Sequence, residues 1–297
     1  MSRETPKERL AYWAYRGLEV AAMGLPERLG RRLFAAVGAL AHRTLHGVRA
    51  TVAANQSRVL GLDAGDERVR ASTRRAFELY ARYWYDTFRI RTMPPGSVND
   101  RTEMVHRHRI DEALAAGRGC ILVLPHMGNW DLGGHYLAVN GYAIASVAEE
   151  LRPARLSELF LRHREELGMR IVPLSKNGHV GQQLKHLLGQ NWVVALVADR
   201  DLTGRGVEVE MFGAARRVPA GPALLSLTSG AALLVCPVYT TSAGWRIEIG
   251  APLRVEPSGD TRADVRVLTR MMAAEFERAI AASPPDWHMF QPAWDET

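Results

Sequence analysis

Three short apolar segments, at residues 119–125, 192–198 and 231–240, limit most strongly the folds that this chain can adopt. Glycine, proline or charged residues bound these segments, and each is too short to be a typical helix. Runs of this kind are typical of strands that are buried on both faces of a parallel sheet. Stretches with helical periodicity lie between them, and strands that alternate with helices of about 10–15 residues indicate an α/β fold.

The pattern divides the chain into two parts. The first 92 residues predict helices only, over 6–24, from Pro26 onward, over 49–61 and over 67–92. After the break Pro94-Pro95-Gly96, helices are predicted over 131–140, 153–167, 179–189, 219–230 and 260–283, with further strands over 142–148, 170–173, 207–211 and 245–249. The predicted fold class is therefore α/β, with a helical N-terminal region followed by a mostly parallel central sheet flanked by helices.

Composition excludes several classes of protein. Two cysteines among 297 residues cannot build a disulfide framework or a cysteine-based zinc site, so we expect a reducing compartment. The chain also lacks a HExxH motif and a Cys/His cluster, so we expect no metal cofactor. No apolar run reaches the ~20 residues that a membrane-spanning helix needs. Because Arg16 and Glu19 interrupt the first apolar stretch, we expect no signal peptide.

Positive charge is concentrated at the N-terminus. Residues 1–50 hold nine Arg or Lys against four Glu, which is a net +5 of the +6 of the whole chain. Nucleic acid, an anionic membrane surface or a phosphorylated substrate could complement this charge. No nucleic-acid-binding motif accompanies it, which disfavours the first partner. The aromatic residues Tyr12, Trp13 and Tyr15 among the basic ones favour a membrane interface, and the alternative is that these helices simply pack on the α/β core.

The segment Leu124-Pro125-His126-Met127-Gly128-Asn129-Trp130-Asp131 carries the chemistry. His126 directly follows a predicted buried strand, and ligands of α/β sheets bind at the carboxyl ends of strands. Gly128-Asn129 suits a turn that would bring Asp131 back towards His126 at the start of the next helix. A carboxylate that fixes the imidazole tautomer lets the other ring nitrogen remove a proton from a hydroxyl.

The spacing alone is weak evidence, because His106 and Asp111 share it within the polar stretch HRHRID. We interpret that second pair as a solvated helix face that follows no strand and opens no turn. A core histidine that binds a backbone carbonyl is the alternative interpretation of His126.

The segment LPHMGNWDLGG resembles the first block of the bacterial lipid A biosynthesis acyltransferase family, a branch of the glycerolipid acyltransferases marked by His-x4-Asp/Glu. Residues 198–239 resemble its later block, and the likeness extends from about residue 6 to the closing WHMFQPAW at 287–294. Asp at 131 and the DRDLT…GVEVE…PAGPA wording most resemble actinobacterial phosphatidylinositol mannoside acyltransferases. The resemblance implies a single acyltransferase domain over 1–297, with a membrane-proximal helical region over 1–92 and a catalytic core over 93–297.

The resemblance implies that His126 is the general base and that Asp131 orients it, the two being the catalytic residues. It also implies a substrate-binding set at the strand ends and beyond: Glu149, Arg164, Asp199, Arg200, Asp201, Glu208 and Arg217. Within this set Arg164 either binds a phosphate or polarises the thioester carbonyl, or is a solvated helix residue. One further acid could complete a relay with His126, with Asp199 preferred over Glu208. Arg216 and Arg217, with the start of the 219–230 helix, form either a phosphate site or a basic surface loop.

The function that follows is transfer of a fatty acyl group, palmitoyl by expectation, from acyl-CoA to a mannose hydroxyl of phosphatidylinositol mannosides. Acyl-CoA is a co-substrate, no cofactor is expected, and the protein would act peripherally at the cytoplasmic face of the cell membrane. Two alternatives remain open. One is a lipid A-type enzyme that uses acyl carrier protein and another glycolipid, and the other is a membrane-associated lipid-binding protein without turnover.

Overall fold

The computed structural model of the chain describes residues 5–149, 153–174, 179–202 and 204–294. The helices run as follows: α1 Pro6–Gly24, α2 Glu27–Thr44, α3 His46–Leu60, α4 Glu67–Ile90, α5 Pro95–Asp100, α6 His108–Ala115, α7 Trp130–Val139, α8 Ala154–Glu166, α9 Val180–Gly189, α10 Gly221–Ser229 and α11 Thr261–Ala282. The strands are β1 Thr102–Val105, β2 Cys120–Leu124, β3 Ile144–Glu149, β4 Arg170–Leu174, β5 Val193–Val197, β6 Val207–Met211, β7 Ala214–Val218, β8 Ala232–Val235, β9 Val238–Thr240 and β10 Trp245–Glu248.

The central sheet has five parallel strands in the order β4-β3-β5-β2-β8. Its interior strand β2, which lies between β5 and β8, is buried along its whole length, as strands covered by helices on both faces must be. Two apolar clusters contain buried residues from this sheet. The predicted α/β class, with its helical N-terminal region, is therefore confirmed. Among the described residues, no helix is both long and apolar enough to cross a membrane.

Two short strands depart from the predicted pattern. The apolar run 231–240 is not one strand, because β8 ends at Val235 and β9 begins at Val238 in a second sheet ordered β1-β10-β9. Pro237 lies between them and has no N–H to continue a ladder. The stretch containing Arg216 and Arg217 is strand β7 and not a surface loop. It pairs with β6 through the turn residues Phe212 and Gly213, which both have positive φ.

The pair His106–Asp111 also has a different setting from the expected one. Strand β1 ends one residue before His106, and His106 has a φ of 61° in the turn that precedes α6. Asp111 lies in the first turn of α6 and accepts a hydrogen bond from the Tyr142 hydroxyl at 2.5 Å. The pair therefore does follow a strand and a turn. Both residues are exposed, so their solvation was predicted correctly although their surroundings were not.

Helix α2 buries one face and leaves an apolar face exposed. One face packs on α4 through Gly30, Phe34 and Gly38, all buried. A Cβ at Gly30 would lie 2.5 Å from the Tyr85 ring, and one at Gly38 would lie 2.9 Å from the Cβ of Ala81. The adjacent face carries an exposed apolar stripe: Leu29, Leu33, Val37 and Leu40. Small residues thus bring α2 against α4, and the large apolar residues remain at the surface.

The aromatic residues of α1 divide between the two surroundings. Trp13 is 65% exposed. Tyr12 lies under the guanidinium of Arg155 on α8 at 3.8 Å, and Tyr15 packs against Phe160 of α8 at 4.8 Å between ring centroids. Tyr12 and Tyr15 therefore pack on the α/β core through α8, the alternative left open for these helices, whereas Trp13 is exposed.

Candidate active site

The register of two neighbouring strands places the histidine beside a carboxylate. In the parallel pair β2 and β5, Leu124 is opposite Val197. His126 and Asp199 each lie two residues beyond these partners, so both leave the sheet at the same edge. Parallel neighbours are only about 4.8 Å apart, which brings the two side chains together.

His126 and Asp199 form a hydrogen-bonded pair. The Nδ1 of His126 is 2.5 Å from the Oδ1 of Asp199, and the indole Nε1 of Trp287 donates to the Oδ2 of Asp199 at 2.8 Å. Asp199 is fully buried. Burial raises the pKa of its carboxyl, but the facing imidazole and the indole N–H outweigh burial and lower that pKa to about 2. The ionised carboxylate therefore holds a proton on Nδ1, and Nε2 is left as the basic nitrogen of His126.

The turn after His126 is held in place by the C-terminal segment. Gly128 has a φ of 58°, and a Cβ there would lie 2.0 Å from the carbonyl oxygen of Val238, so only glycine fits. The backbone N–H of His288 donates to the His126 carbonyl at 2.7 Å, and the His288 Nε2 donates to the Gly128 carbonyl at 3.0 Å. Asn129 then caps α7 by accepting from the N–H of Leu132. The predicted turn at Gly128-Asn129 is confirmed.

Asp131 binds other partners than His126. It lies in the first turn of α7, as predicted, and is buried. Its Oδ1 accepts from the Nε of Arg164 at 2.6 Å, and its Oδ2 accepts from the Tyr83 hydroxyl at 2.8 Å. Burial raises its pKa, and the charge and hydrogen bond of Arg164 more than offset this, so the pKa lies below its usual value. Of the described acids, Asp199 holds the imidazole, so the expectation that Asp131 orients His126 is corrected.

A cleft with a cavity volume of about 410 Å³ opens in front of His126. Its walls come from α4, α8, the ends of β3 and β5, and the C-terminal segment. They are mostly aromatic and apolar: Tyr80, Tyr83, Trp84, Trp130, Val147, Ala148, Phe160, Leu161, Leu174, Leu196, Val197, Leu202, Met289 and Phe290. The side chain of His126 is 23% exposed. His126 thus faces a cleft whose walls are mostly apolar, which suits a substrate with a hydrocarbon chain.

The structure brings four of the predicted site residues to this cleft. His126, Glu149, Arg164 and Arg200 all line it. Glu149 is exposed at the carboxyl end of β3. Arg164 is not a solvated helix residue, because Asp131 holds it.

Other predicted residues lie elsewhere. Asp199 is fully buried and does not line the cleft, and it binds His126, as the relay for which it was preferred requires. Glu208 is exposed on β6 opposite Arg217, so it is not the acid that His126 binds. Asp201, Arg216 and Arg217 line a second, neighbouring cleft together with Arg200, Met289 and residues 291–294. The start of α10 does not form part of that cleft's described lining, which corrects the expected pairing of these arginines with the helix terminus.

Sequence reasoning missed Tyr83, Trp287 and His288 as site residues. Tyr83 was one of several aromatic residues in a long helix, and Trp287 lies 88 residues from the carboxylate it binds. A buried tryptophan N–H usually has a hydrogen-bond partner, which is the one local signal that could have drawn attention to Trp287. Burial lowers the pKa of His288 to about 3, so that imidazole is neutral and serves as a hydrogen-bond donor to the turn.

A cleft-facing histidine oriented by a buried carboxylate, at the carboxyl ends of parallel strands, defines an α/β protein that can activate a hydroxyl nucleophile. Residues 1–296 match the family described as bacterial lipid A biosynthesis acyltransferase. The chain therefore belongs to that family and is an acyltransferase.

Curated relatives agree with this family. A phosphatidylinositol mannoside acyltransferase of Mycolicibacterium smegmatis is 38% identical over 275 residues, which cover 91% of this chain and 86% of the relative. A protein of the same name from Mycobacterium tuberculosis strain H37Rv is 38% identical over 288 residues, covering 95% of this chain and 88% of the relative. The similarity thus extends over nearly the full length of both proteins.

Proposed function

We propose that this acyltransferase moves a fatty acyl group, palmitoyl by our expectation, from acyl-CoA to a mannose hydroxyl of a phosphatidylinositol mannoside. The observation that carries the proposal is the His126–Asp199 pair at the base of an aromatic and apolar cleft. The names of the relatives support the acceptor.

In the proposed reaction the acceptor hydroxyl attacks the thioester carbonyl while the Nε2 of His126 takes its proton. Asp199 keeps the other ring nitrogen protonated and stabilises the imidazolium that forms. The tetrahedral intermediate collapses with cleavage of the C–S bond, and the imidazolium returns the proton to the departing CoA thiolate. The products are an ester and free CoA, no covalent acyl-enzyme forms, and acyl-CoA is a co-substrate with no cofactor required.

We propose that Arg164 binds an oxygen of the substrate in the cleft and stabilises its negative charge. Asp131 binds its Nε, and Tyr83 holds the other oxygen of that carboxylate. A guanidinium fixed in this way is preorganised, so it loses little freedom when it meets an oxygen of the substrate. Asp131 therefore has a positioning role towards Arg164, distinct from the role of Asp199 towards His126.

The exposed apolar stripe of α2 supports action at a membrane surface. Its four residues are exposed, as are Leu10 and Trp13 of α1, and the same two helices carry the exposed basic residues Arg9, Arg28, Arg32 and Arg43. Apolar side chains flanked by arginine suit the interface of a bilayer that contains anionic lipid. We propose that the protein binds the cytoplasmic face of the cell membrane peripherally through α1 and α2, where its lipid acceptor lies.

A transfer assay tests the chemistry. Purified protein should move palmitate from palmitoyl-CoA to a phosphatidylinositol mannoside, and His126→Ala should lower kcat by about 10³-fold or more while acceptor binding persists. Faster turnover with acyl carrier protein thioesters and another glycolipid would favour the lipid A-type alternative. Near wild-type transfer by His126→Ala would overturn the general-base role, and lipid binding without any transfer would indicate a lipid-binding protein.

Vesicle co-sedimentation tests the membrane surface. The double variant Leu33→Glu/Leu40→Glu should bind vesicles of phosphatidylcholine and phosphatidylinositol about tenfold or more weakly, because two apolar contacts are lost. Val267→Glu is the matched control, since Val267 is an exposed apolar residue on α11, outside the surface in question. Equal binding by wild type and the double variant would exclude the α2 stripe as the membrane contact.

A further inference from the structure

A second cleft adjoins the catalytic one. It has a cavity volume of about 290 Å³. Four side chains line both clefts: Arg200, Leu202, Met289 and Gln291. The Nη2 of Arg200, which follows β5, donates to the Oε1 of Gln291 at 2.9 Å, so this hydrogen bond lies at the boundary of the two clefts. Because the clefts share these side chains, a ligand that spans this boundary would occupy both.

Arg216 lies at the base of the second cleft in an unusual setting. Its side chain is 6% exposed, and its Nη2 donates to the backbone carbonyl of Asp199 at 2.6 Å. The guanidinium also lies over the rings of Trp287 and Trp294, at 5.6 and 5.3 Å from their centroids. Within the described part of the chain its Nε and Nη1 have no acceptor, and neither has the indole N–H of Trp294.

The charges around this cleft do not balance. Arg200, Arg216 and Arg217 line it, and the carboxylate in its described lining is Asp201, whose Oδ2 accepts the backbone N–H of Gly206 at 2.6 Å. Burial lowers the pKa of Arg216 below its usual value, and the nearby Asp199 carboxylate, which is itself paired with His126, offsets this only in part. Buried donors are almost always paired, and an anion in the cleft would offset the remaining cost of burying the cation.

We propose that this second cleft binds a phosphate or diphosphate group of a substrate. Arginine suits tetrahedral oxyanions because its planar fork donates two parallel hydrogen bonds. Arg200 and Arg217 lie at the accessible rim and contact the ligand, while Arg216 supplies a fixed positive charge beneath it. Since Arg216 also holds the backbone of Asp199, the bound phosphate lies next to the residue that orients His126.

Two substrate sources share this chemistry. One is the nucleotide end of the acyl-CoA donor, and the other is the phosphodiester of the inositol lipid acceptor. The choice between them rests on the proposed transfer reaction, whereas the presence of the anion site does not.

Calorimetry with inorganic pyrophosphate and with coenzyme A tests the site without turnover. We expect Arg217→Gln and Arg200→Gln each to weaken binding of at least one of these probes by about tenfold, the effect of losing one charged hydrogen bond. Neither substitution removes a contact to Asp199. Arg118→Gln is the matched control, because Arg118 lines a separate arginine-containing cleft at the opposite edge of the sheet, and it should leave both affinities unchanged. The proposal is overturned if wild type binds neither probe, or if both rim variants bind as wild type does.

Kinetics with two donors then identifies the source. If Arg217→Gln or Arg200→Gln raises the KM for palmitoyl-CoA but not the KM for S-palmitoyl-pantetheine, which has no phosphate, the second cleft binds the donor. If either variant raises the KM for the acceptor with both donors, the second cleft binds the phosphodiester of the lipid. Pyrophosphate binding by a protein that transfers no acyl group would support the anion site while refuting the transfer reaction, so the two proposals can fail separately.

Discussion

Two buried carboxylates lie at the same edge of the central sheet and bind different side chains. Asp199 binds the imidazole of His126 and the indole of Trp287, whereas Asp131 binds the guanidinium of Arg164 and the hydroxyl of Tyr83. Both carboxyls have a pKa below the usual value. The two sites are thus alike in burial and charge, and the difference lies in what their partners can do.

An imidazole exchanges a proton near neutral pH, and a guanidinium does not. Asp199 can therefore support a proton transfer at each turnover, while Asp131 can only fix the position of a permanent charge. The motif His-x4-Asp therefore contains one residue of each pair: His126 belongs to the His126–Asp199 pair, and Asp131 belongs to the Asp131–Arg164 pair. Substitution of Asp199 should consequently lower mainly kcat, whereas substitution of Asp131 should lower mainly the free energy of unfolding.

The largest effect should come from Asp199→Asn. An amide at this position can stabilise the wrong imidazole tautomer and cannot stabilise the imidazolium, so kcat should fall by about 10³-fold or more with KM for the acceptor nearly unchanged. Steady-state transfer kinetics on protein with a normal circular dichroism spectrum would measure this. A loss of less than about tenfold would mean that His126 does not need Asp199.

Asp131→Asn should act mainly on stability. It leaves the Arg164 guanidinium without its carboxylate in a mostly buried place, which typically costs about 3 kcal/mol of unfolding free energy. Urea denaturation would measure the loss. The double variant Asp131→Asn/Arg164→Gln removes both charges, so it should be more stable than Asp131→Asn alone. If kcat fell as far as in Asp199→Asn while stability stayed normal, the division of roles between the two carboxylates would be wrong.

The comparison also explains how far the sequence could predict the site. The apolar segments predicted the parallel sheet, and the Gly128-Asn129 turn predicted that a helix would begin near Asp131. Sequence proximity then favoured Asp131 as the partner of His126. The actual partner follows from strand order, because β5 lies beside β2, and no local pattern reports which strands are neighbours.

The same limit applies to the rest of the site. Trp287 and His288 reach the turn after His126 from the far end of the chain. Arg216 lies in strand β7, whose sequence AARRV has two adjacent arginines and does not indicate which of them is buried. The N-terminal helices show a related difficulty. The periodicity of α2 predicts an apolar face, but the glycines on the adjacent face allow the close approach to α4 and leave the larger residues exposed.

Acid should remove the stability that the Asp199 carboxylate contributes. The pKa of Asp199 is about 2 in the folded protein against 3.8 ordinarily, so the stability it contributes is fully present above about pH 4 and is lost as pH falls towards 2. The contribution is about 2 kcal/mol. His126→Gln removes the facing imidazole and should make stability less dependent on pH in this range, as urea titrations at a series of pH values would show. A pH dependence identical to wild type would indicate that the imidazole does not stabilise the Asp199 carboxylate.

The smallest effect should come from the neutral partner of Asp131. Tyr83→Phe deletes the hydroxyl that donates to the Oδ2 of Asp131 at 2.8 Å and leaves that oxygen buried without a donor, at a cost of roughly 1.5 kcal/mol. Tyr85→Phe is the matched control on the same helix, because its hydroxyl makes only a 3.4 Å contact with the Glu27 carbonyl, and its cost should stay within about 0.5 kcal/mol. Urea denaturation measures both. Since Arg164 keeps its bond to Oδ1, Tyr83→Phe should retain most of its kcat, whereas a loss as large as that of Asp199→Asn would make the hydroxyl itself part of the proton transfer.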